Sequence, residues 1–266
     1  MRAVLGGVVF DEEVSSGFTI GSFDGWDDGP TPRSGADLIP EADGAFEVAR
    51  TYLAPRVMTL SGLLLDGPDA QVDASRFRAI HSAGQPQLLQ VVDRDGVWTL
   101  SVGVEEAILR PIVGGLCSYS LTLIARDPVK YTDELALGPV GLPTHTGGLI
   151  LPKVFPWEFG VTDRGDVTLV NDGSVPVLPR VVVSGSADGI VVHGGPRRLE
   201  FGAFSGELVL DSRDRRAWLN GVDVTRLLLR RDWYEVPAGA SQEFFFVAED
   251  PSADTVMTVQ YRIGAW

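Results

Sequence analysis

Only one cysteine, Cys117, occurs in 266 residues, so no intramolecular disulfide can form. In a strand-like stretch it reads as a small buried hydrophobe. Histidine is nearly as scarce. His81, His145 and His193 are far apart, and neither an HExxH spacing nor a close His/Cys pair occurs, which argues against a zinc site. Basic residues are outnumbered 22 to 36 by acidic ones, and the formal net charge is −14. Such a surface disfavours nucleic-acid binding as the main task, which needs Lys and Arg to neutralise phosphates, and disfavours docking on an anionic membrane. No run approaches the roughly 20 apolar residues of a membrane-spanning helix. The apolar start ending at Phe10 is followed at once by Asp11-Glu12-Glu13 and lacks the longer apolar core and cleavage site of a secretory signal. The expectation is a protein made in, and kept in, a cytoplasm until something else carries it out.

What is present is the punctuation of a β protein. At this length two domains are the default. Hydrophobic residues make up 44% and charged ones 22%, values ordinary for a folded globular chain, and 31 Gly and 17 Pro fall between short apolar runs. One helix is expected, over 68–83, where Ala70, Ala74, Phe77 and Ile80 share a face, Asp69 or Asp73 can cap the start and Gly84 with Pro86 stops it. Strands at 87–92 and 97–104 flank Asp93-Arg94-Asp95-Gly96, a hairpin signal. Trp98, Leu100, Val102 and Val104 alternate along the second of them, as do Tyr119, Leu121, Leu123 and Ala125 in the next run. A strand is also expected at 56–62. Residues 133–150 lack a clear period and are rich in Gly, Pro and Thr, which places a domain boundary between 1–145 and 146–266. Seven later strands, at 166–171, 180–184, 189–193, 207–211, 216–219, 242–248 and 255–263, with a tight turn at Asn220-Gly221, suit an antiparallel sandwich. Of the net charge, −10 lies in residues 1–145 (10 basic, 20 acidic) and −4 in the remainder (12 basic, 16 acidic).

No chemical motif survives comparison with a plainer reading. Asp24-Gly25-Trp26-Asp27-Asp28-Gly29 has the look of a calcium loop, but Trp26 occupies a ligand position and no glutamate follows at the right distance. Glu105-Glu106 are neighbours on a strand, and alternation would point them to opposite faces, so they do not flank one glycosidic bond. Ser184-Gly185-Ser186 reads as a turn and not a nucleophile elbow, and Arg164-Gly165-Asp166 is a three-letter match before a strand. Neither a Walker A nor a dinucleotide fingerprint follows any strand. The expectation is therefore no catalytic, cofactor or metal site. The one surface singled out is the turn-rich segment 22–45, where Phe23 and Trp26 either contact a neighbouring subunit or fold back onto their own core.

The order and spacing of several weaker stretches is similar to the distal tail proteins of long-tailed phages. Phe155-Pro156-Trp157-Glu158-Phe159 resembles the opening of that family's carboxy-terminal domain. Val170-Asn171-Asp172-Gly173-Ser174, followed by Pro176 and Pro179-Arg180-Val181-Val182-Val183, resembles its Asn-x-Gly stretch. The run from Leu208-Val209-Leu210-Asp211 to Asn220-Gly221 resembles its hairpin, and Asp232-Trp233-Tyr234-Glu235-Val236-Pro237-Ala238-Gly239 its Trp-x-x-hydrophobic-Pro-x-Gly turn. In the first half, Glu41-Ala42-Asp43-Gly44, the 56–62 strand, the single helix and Arg126-Asp127-Pro128 resemble the amino-terminal domain.

The resemblance implies a mainly β fold: a tail-tube-like domain with one helix, then a galectin-like antiparallel β-sandwich. It implies a structural, non-enzymatic subunit of a virion tail tip, forming a ring of six around a channel that DNA traverses without specific binding. The implied partners are further copies of the chain, the tail tube protein, the tail-associated hub protein, the tape-measure protein and, in some relatives, a receptor-binding protein. No insertion resembling a carbohydrate-binding module interrupts the second half. Two other readings stand beside this one. A lectin-like module would use Trp218, Trp233 and Tyr234, and a wall hydrolase would need two inward carboxylates in a cleft.

Overall fold

The computed structural model describes residues 1–13, 17–33, 43, 52–65, 70–82, 84–112, 116–142, 144–145, 162–163 and 165–266. The chain divides into two compact units, Met1–Asp133 with Ala265–Trp266, and Glu134–Gly264. The stretch 155–159, most of 41–44, the first two residues of the expected helix and much of the expected linker lie outside the described residues.

The first unit contains β1 (Arg2–Leu5), β2 (Val8–Asp11), β3 (Phe18–Asp24), β4 (Arg56–Leu64), helix α1 (Ala70–Ser82), β5 (Gln87–Asp93), β6 (Gly96–Pro111), β7 (Cys117–Ala125) and the short β8 (Lys130–Tyr131). Its strands run β6-β5-β1-β2-β3-β4-β7, and β7 pairs in turn with β6, so seven strands close into a barrel with no free edge. The long β6 makes this closure: its first half pairs with β5 and its second with β7. All pairs are antiparallel except β2 with β3. The expected hairpin is present, with Asp93 Oδ1 accepting the amides of Asp95 and Gly96. Tyr119, Leu121, Leu123 and Ala125 all point inward. Tyr119 meets Phe10, Phe18 and Phe77 in an aromatic cluster; Phe18 stacks on Phe77 of the helix at 5.5 Å and meets Tyr119 edge-on at 5.3 Å. Gly62 shows how tightly β3 and β4 approach. A Cβ there would collide with the Thr19 carbonyl, beside the register shift between Ile20 and Ser22. β1 turns into β2 through Gly6-Gly7, left-handed at both positions and a hairpin dipeptide in its own right, whereas the place of β3 beside β2 emerges only from the fold.

The second unit begins with β9 (Leu135–Val140), earlier than the expected boundary at 145. Leu137 and Val140 face the second core because β9 pairs with the last strand of this unit, which no local pattern announces. A two-residue ladder of β10 (Thr144–His145) and β11 (Thr162–Asp163) follows. The remaining strands are β12 (Asp166–Val170), β13 (Arg180–Ala187), β14 (Gly189–Gly194), β15 (Arg197–Phe201), β16 (Phe204–Asp211), β17 (Arg216–Leu219), β18 (Val222–Asp223), β19 (Arg230–Arg231), β20 (Ser241–Glu249) and β21 (Val256–Tyr261). They form two antiparallel sheets, β12-β20-β14-β15-β19 and β18-β17-β16-β13-β21-β9. Alternate residues of each sheet, among them Val181, Val183, Leu208 and Leu210 from one and Ile190, Val192, Phe244 and Phe246 from the other, fill a shared core. Every strand expected in this half is present within a few residues. Asn220 (φ 50°) and Gly221 (φ 81°) make the tight turn between β17 and β18, left-handed at both central positions.

Candidate functional site

The segment singled out around Phe23 and Trp26 is built around a buried cation. Arg56, the first residue of β4, is 6% exposed. Its Nη1 donates to the carbonyls of Gly25 (2.8 Å), Trp26 (3.0 Å) and Asp28 (3.0 Å), and its Nε to that of Pro128 (3.0 Å). Burial lowers its pKa, opposed by the charges of Asp28 and Asp27. Lys130 lies alongside, with Nζ 4.9 Å from the centre of the Trp26 ring and donating to the Trp26 carbonyl at 3.4 Å. Burial, and then the neighbouring charge of Arg56, lower the Lys130 pKa. The indole Nε1 of Trp26 donates to Asp93 Oδ2 at 3.0 Å, and Phe23 stacks on the indole at 5.3 Å.

Carbonyls of the calcium-like loop at 25, 26 and 28 point at a guanidinium, which occupies the place a metal ion would need. Trp26 is completely buried in its own core, and Phe23 beside it is half-buried. The apolar character of Trp26 suggested a contact; the deciding partners, Arg56, Asp93 and Lys130, are remote in sequence and gave no local signal.

The other chemical candidates remain apart. His81 is exposed on the helix, whereas His193 stacks on Phe245 at 4.6 Å, with burial as the main cause of its lowered pKa. Among the described residues no group of three or more His, Cys, Asp and Glu is placed to hold a metal. Glu105 and Glu106 are both exposed, and the β6–β7 register shifts between Val104 and Glu106. Strict alternation therefore does not apply across this pair; the bulge breaks it. Two clefts in the first unit, of about 330 and 300 Å³, have one acidic lining residue each, Asp127 and Asp28, so neither supplies a carboxylate pair. Of Arg164-Gly165-Asp166, Arg164 lies outside the described residues and Asp166 opens β12.

In the second unit, two of the quoted stretches meet in space. Asn171 is fully buried, and its Nδ2 faces the carbonyls of Val175 (2.9 Å), Val236 (3.0 Å) and Pro237 (3.1 Å). Its Oδ1 accepts the Gly173 amide, and its backbone carbonyl accepts that of Gly239. One amide side chain thus ties the Asn171-Asp172-Gly173 bend to the Pro237-Ala238-Gly239 turn, which explains why Asn is needed there. Tyr234 is buried beside them with its hydroxyl donating to the Val192 carbonyl at 2.7 Å. Burial pushes its pKa far up. Tyr234 is therefore a core residue, and Trp233 packs partly against the same core. The aromatic trio of the lectin-like reading does not form an open platform.

The β-barrel with helix α1, followed along the chain by a two-sheet antiparallel sandwich, is a fold shared with solved phage proteins. SPP1 Dit (gp 19.1), a paradigm of the hub adsorption apparatus in phages infecting Gram-positive bacteria, matches with a TM-score of 0.67 at 14% identity, over 99% of this chain and 98% of that one. A chain of the phage P2 baseplate in its activated conformation with calcium matches with a TM-score of 0.50 at 8% identity, over 97% of both chains. At these identities the likeness is one of fold. No family model matches the sequence, and no curated protein matches it.

Proposed function

We propose that this chain is a distal tail protein: a structural, non-enzymatic subunit of a long-tailed phage tail tip, assembled in the host cytoplasm and carried in the virion. Six copies form a ring joining the tail tube to the tail-associated hub and adhesion proteins, with the tape-measure protein, and later DNA, inside. The observation that carries this reading is the match to SPP1 Dit across both units in the same order, covering almost all of each chain. The sequence stretches quoted above support it independently, because Asn171-Asp172-Gly173 and Pro237-Ala238-Gly239 form one structural corner. The concentration of acidic residues in the first half suits a channel through which DNA slides without adhering. Of the half-buried residues, Phe23 stays a candidate for the subunit contact.

Immunogold labelling of intact phage particles tests the location. Gold confined to the distal end of the tail is the expected result; label along the whole tail or on the capsid contradicts it.

A further inference from the structure

The second unit has one side unlike the rest of its surface. β18 ends the six-stranded sheet and β19 ends the five-stranded one, and residues 222–231 run from one edge to the other through a single 3₁₀ turn at Thr225–Leu227. At the other ends of the two sheets β12 and β9 pack on each other, so the open edges gather on this side. Val224 and Leu228 point inward and plug the core. Val222 (66% exposed), Leu227 (63%) and Leu229 (74%) point outward, the three most exposed large apolar side chains among the described residues. Arginines alone at a sheet edge would read as protection against unwanted pairing. Paired exposed leucines beside them do the opposite, because they add apolar surface where a strand can still be added.

Charge selects the partner. Residues 213–232 carry six Arg and three Asp, a local net of +3 on a chain of net −14. Asp223 and Asp232 are taken by Arg216 (3.7 Å) and Arg230 (2.6 Å). Arg226 and Arg231 are left without an ion-paired carboxylate among the described residues, and Arg231 Nη2 donates to the Arg226 carbonyl, which holds the two together. We propose that this edge docks an extended acidic segment of another protein chain, laid as a strand beside β19 with its apolar side chains on Leu227 and Leu229 and its carboxylates on Arg226 and Arg231. Two copies of this chain meeting through this same edge would set +3 against +3, which disfavours a symmetric self-contact here. The surface adds a partner site to the tail-tip reading and is tested apart from it, since ring assembly does not depend on the outcome.

The test uses the full chain and a fluorescein-labelled synthetic peptide of alternating Glu and Val, with an alternating Lys and Val peptide as control, read by anisotropy. The acidic peptide is expected to bind and the basic one not. Binding should weaken about tenfold or more in Leu227→Ser/Leu229→Ser and in Arg226→Ser/Arg231→Ser, whose exposed side chains leave the melting curve unchanged. It should also weaken at about 0.5 M salt. Failure of the acidic peptide to bind, equal binding of both peptides, or affinity indifferent to both double variants overturns the proposal. So does self-association, measured by light scattering without peptide, that the double variants abolish, because the occupant would then be a second copy.

Discussion

In the first unit the turn through Gly25, Trp26 and Asp28 is fastened by a guanidinium; in the second, the turn at Pro237 is fastened by a neutral amide. Each pin is buried and faces several backbone carbonyls, so each answers the same need, since a buried carbonyl without a donor is costly. The costs of the two pins differ. Asn171 carries no charge and loses little on leaving water. Arg56 is a buried cation beside a second one, Lys130, and the acidic side chains that offset them, Asp27 and Asp28, sit at the solvent-exposed rim. A neutral pin suits a corner that only has to hold, whereas a charged pin couples the stability of its loop to the acidic residues around it.

The sharpest way to break this contrast is to put a charge where the amide stands. Asn171→Asp places a carboxylate, which donates nothing when ionised, against three carbonyls, and should cost about 4 kcal/mol at neutral pH. Its folded-state pKa would lie above the unfolded value, so the deficit relative to Asn171→Ala should shrink as pH falls through that raised pKa. Hydrogen exchange of second-unit amides against pH reads both effects. Arg56→Met, which removes the charge and keeps much of the volume, should cost about 3 kcal/mol, because four carbonyls lose their donor. The loss should be confined to exchange of first-unit amides. Tyr234→Phe strands only the Val192 carbonyl and should cost about 1.5 kcal/mol in the second unit.

The smallest expected effect is a pH slope at His193. Its folded pKa is lowered, chiefly by burial, so below the ordinary imidazole pKa the unfolded chain takes up the proton more readily. Stability from this group is therefore full above that pH and is lost on acidification. The melting temperature of the wild-type protein should fall slightly more between pH 7 and pH 5 than that of His193→Gln.

The two units also differ in how much of them could be read beforehand. β21 alternates cleanly, with Met257 and Val259 buried and Thr258 and Gln260 on the other face, so period two survives in its residues. β1 and β2 have four residues each, and β2 pairs with β3 in parallel, an arrangement no turn dipeptide marks. β9 carries no period of its own, because its partner, β21, lies about 120 residues further along the chain. For the candidate site the limit was burial. Phe23 and Trp26 looked alike as aromatics in a turn-rich segment, and what separates them is a set of contacts to Arg56, Asp93 and Lys130 that only tertiary structure brings together. The bulge at Glu105 likewise escaped alternation, because it arises from the mismatch of β6 with β7 and not from either residue.

Assembly into a ring is the central claim, and the solution mass of the purified chain across a dilution series, with electron micrographs of the same sample, tests it most directly. A mass near six chains and six-fold rings with an open centre are the predicted results. A mass of one chain at every concentration, together with the absence of this chain from a purified tail-tip ring, would contradict it.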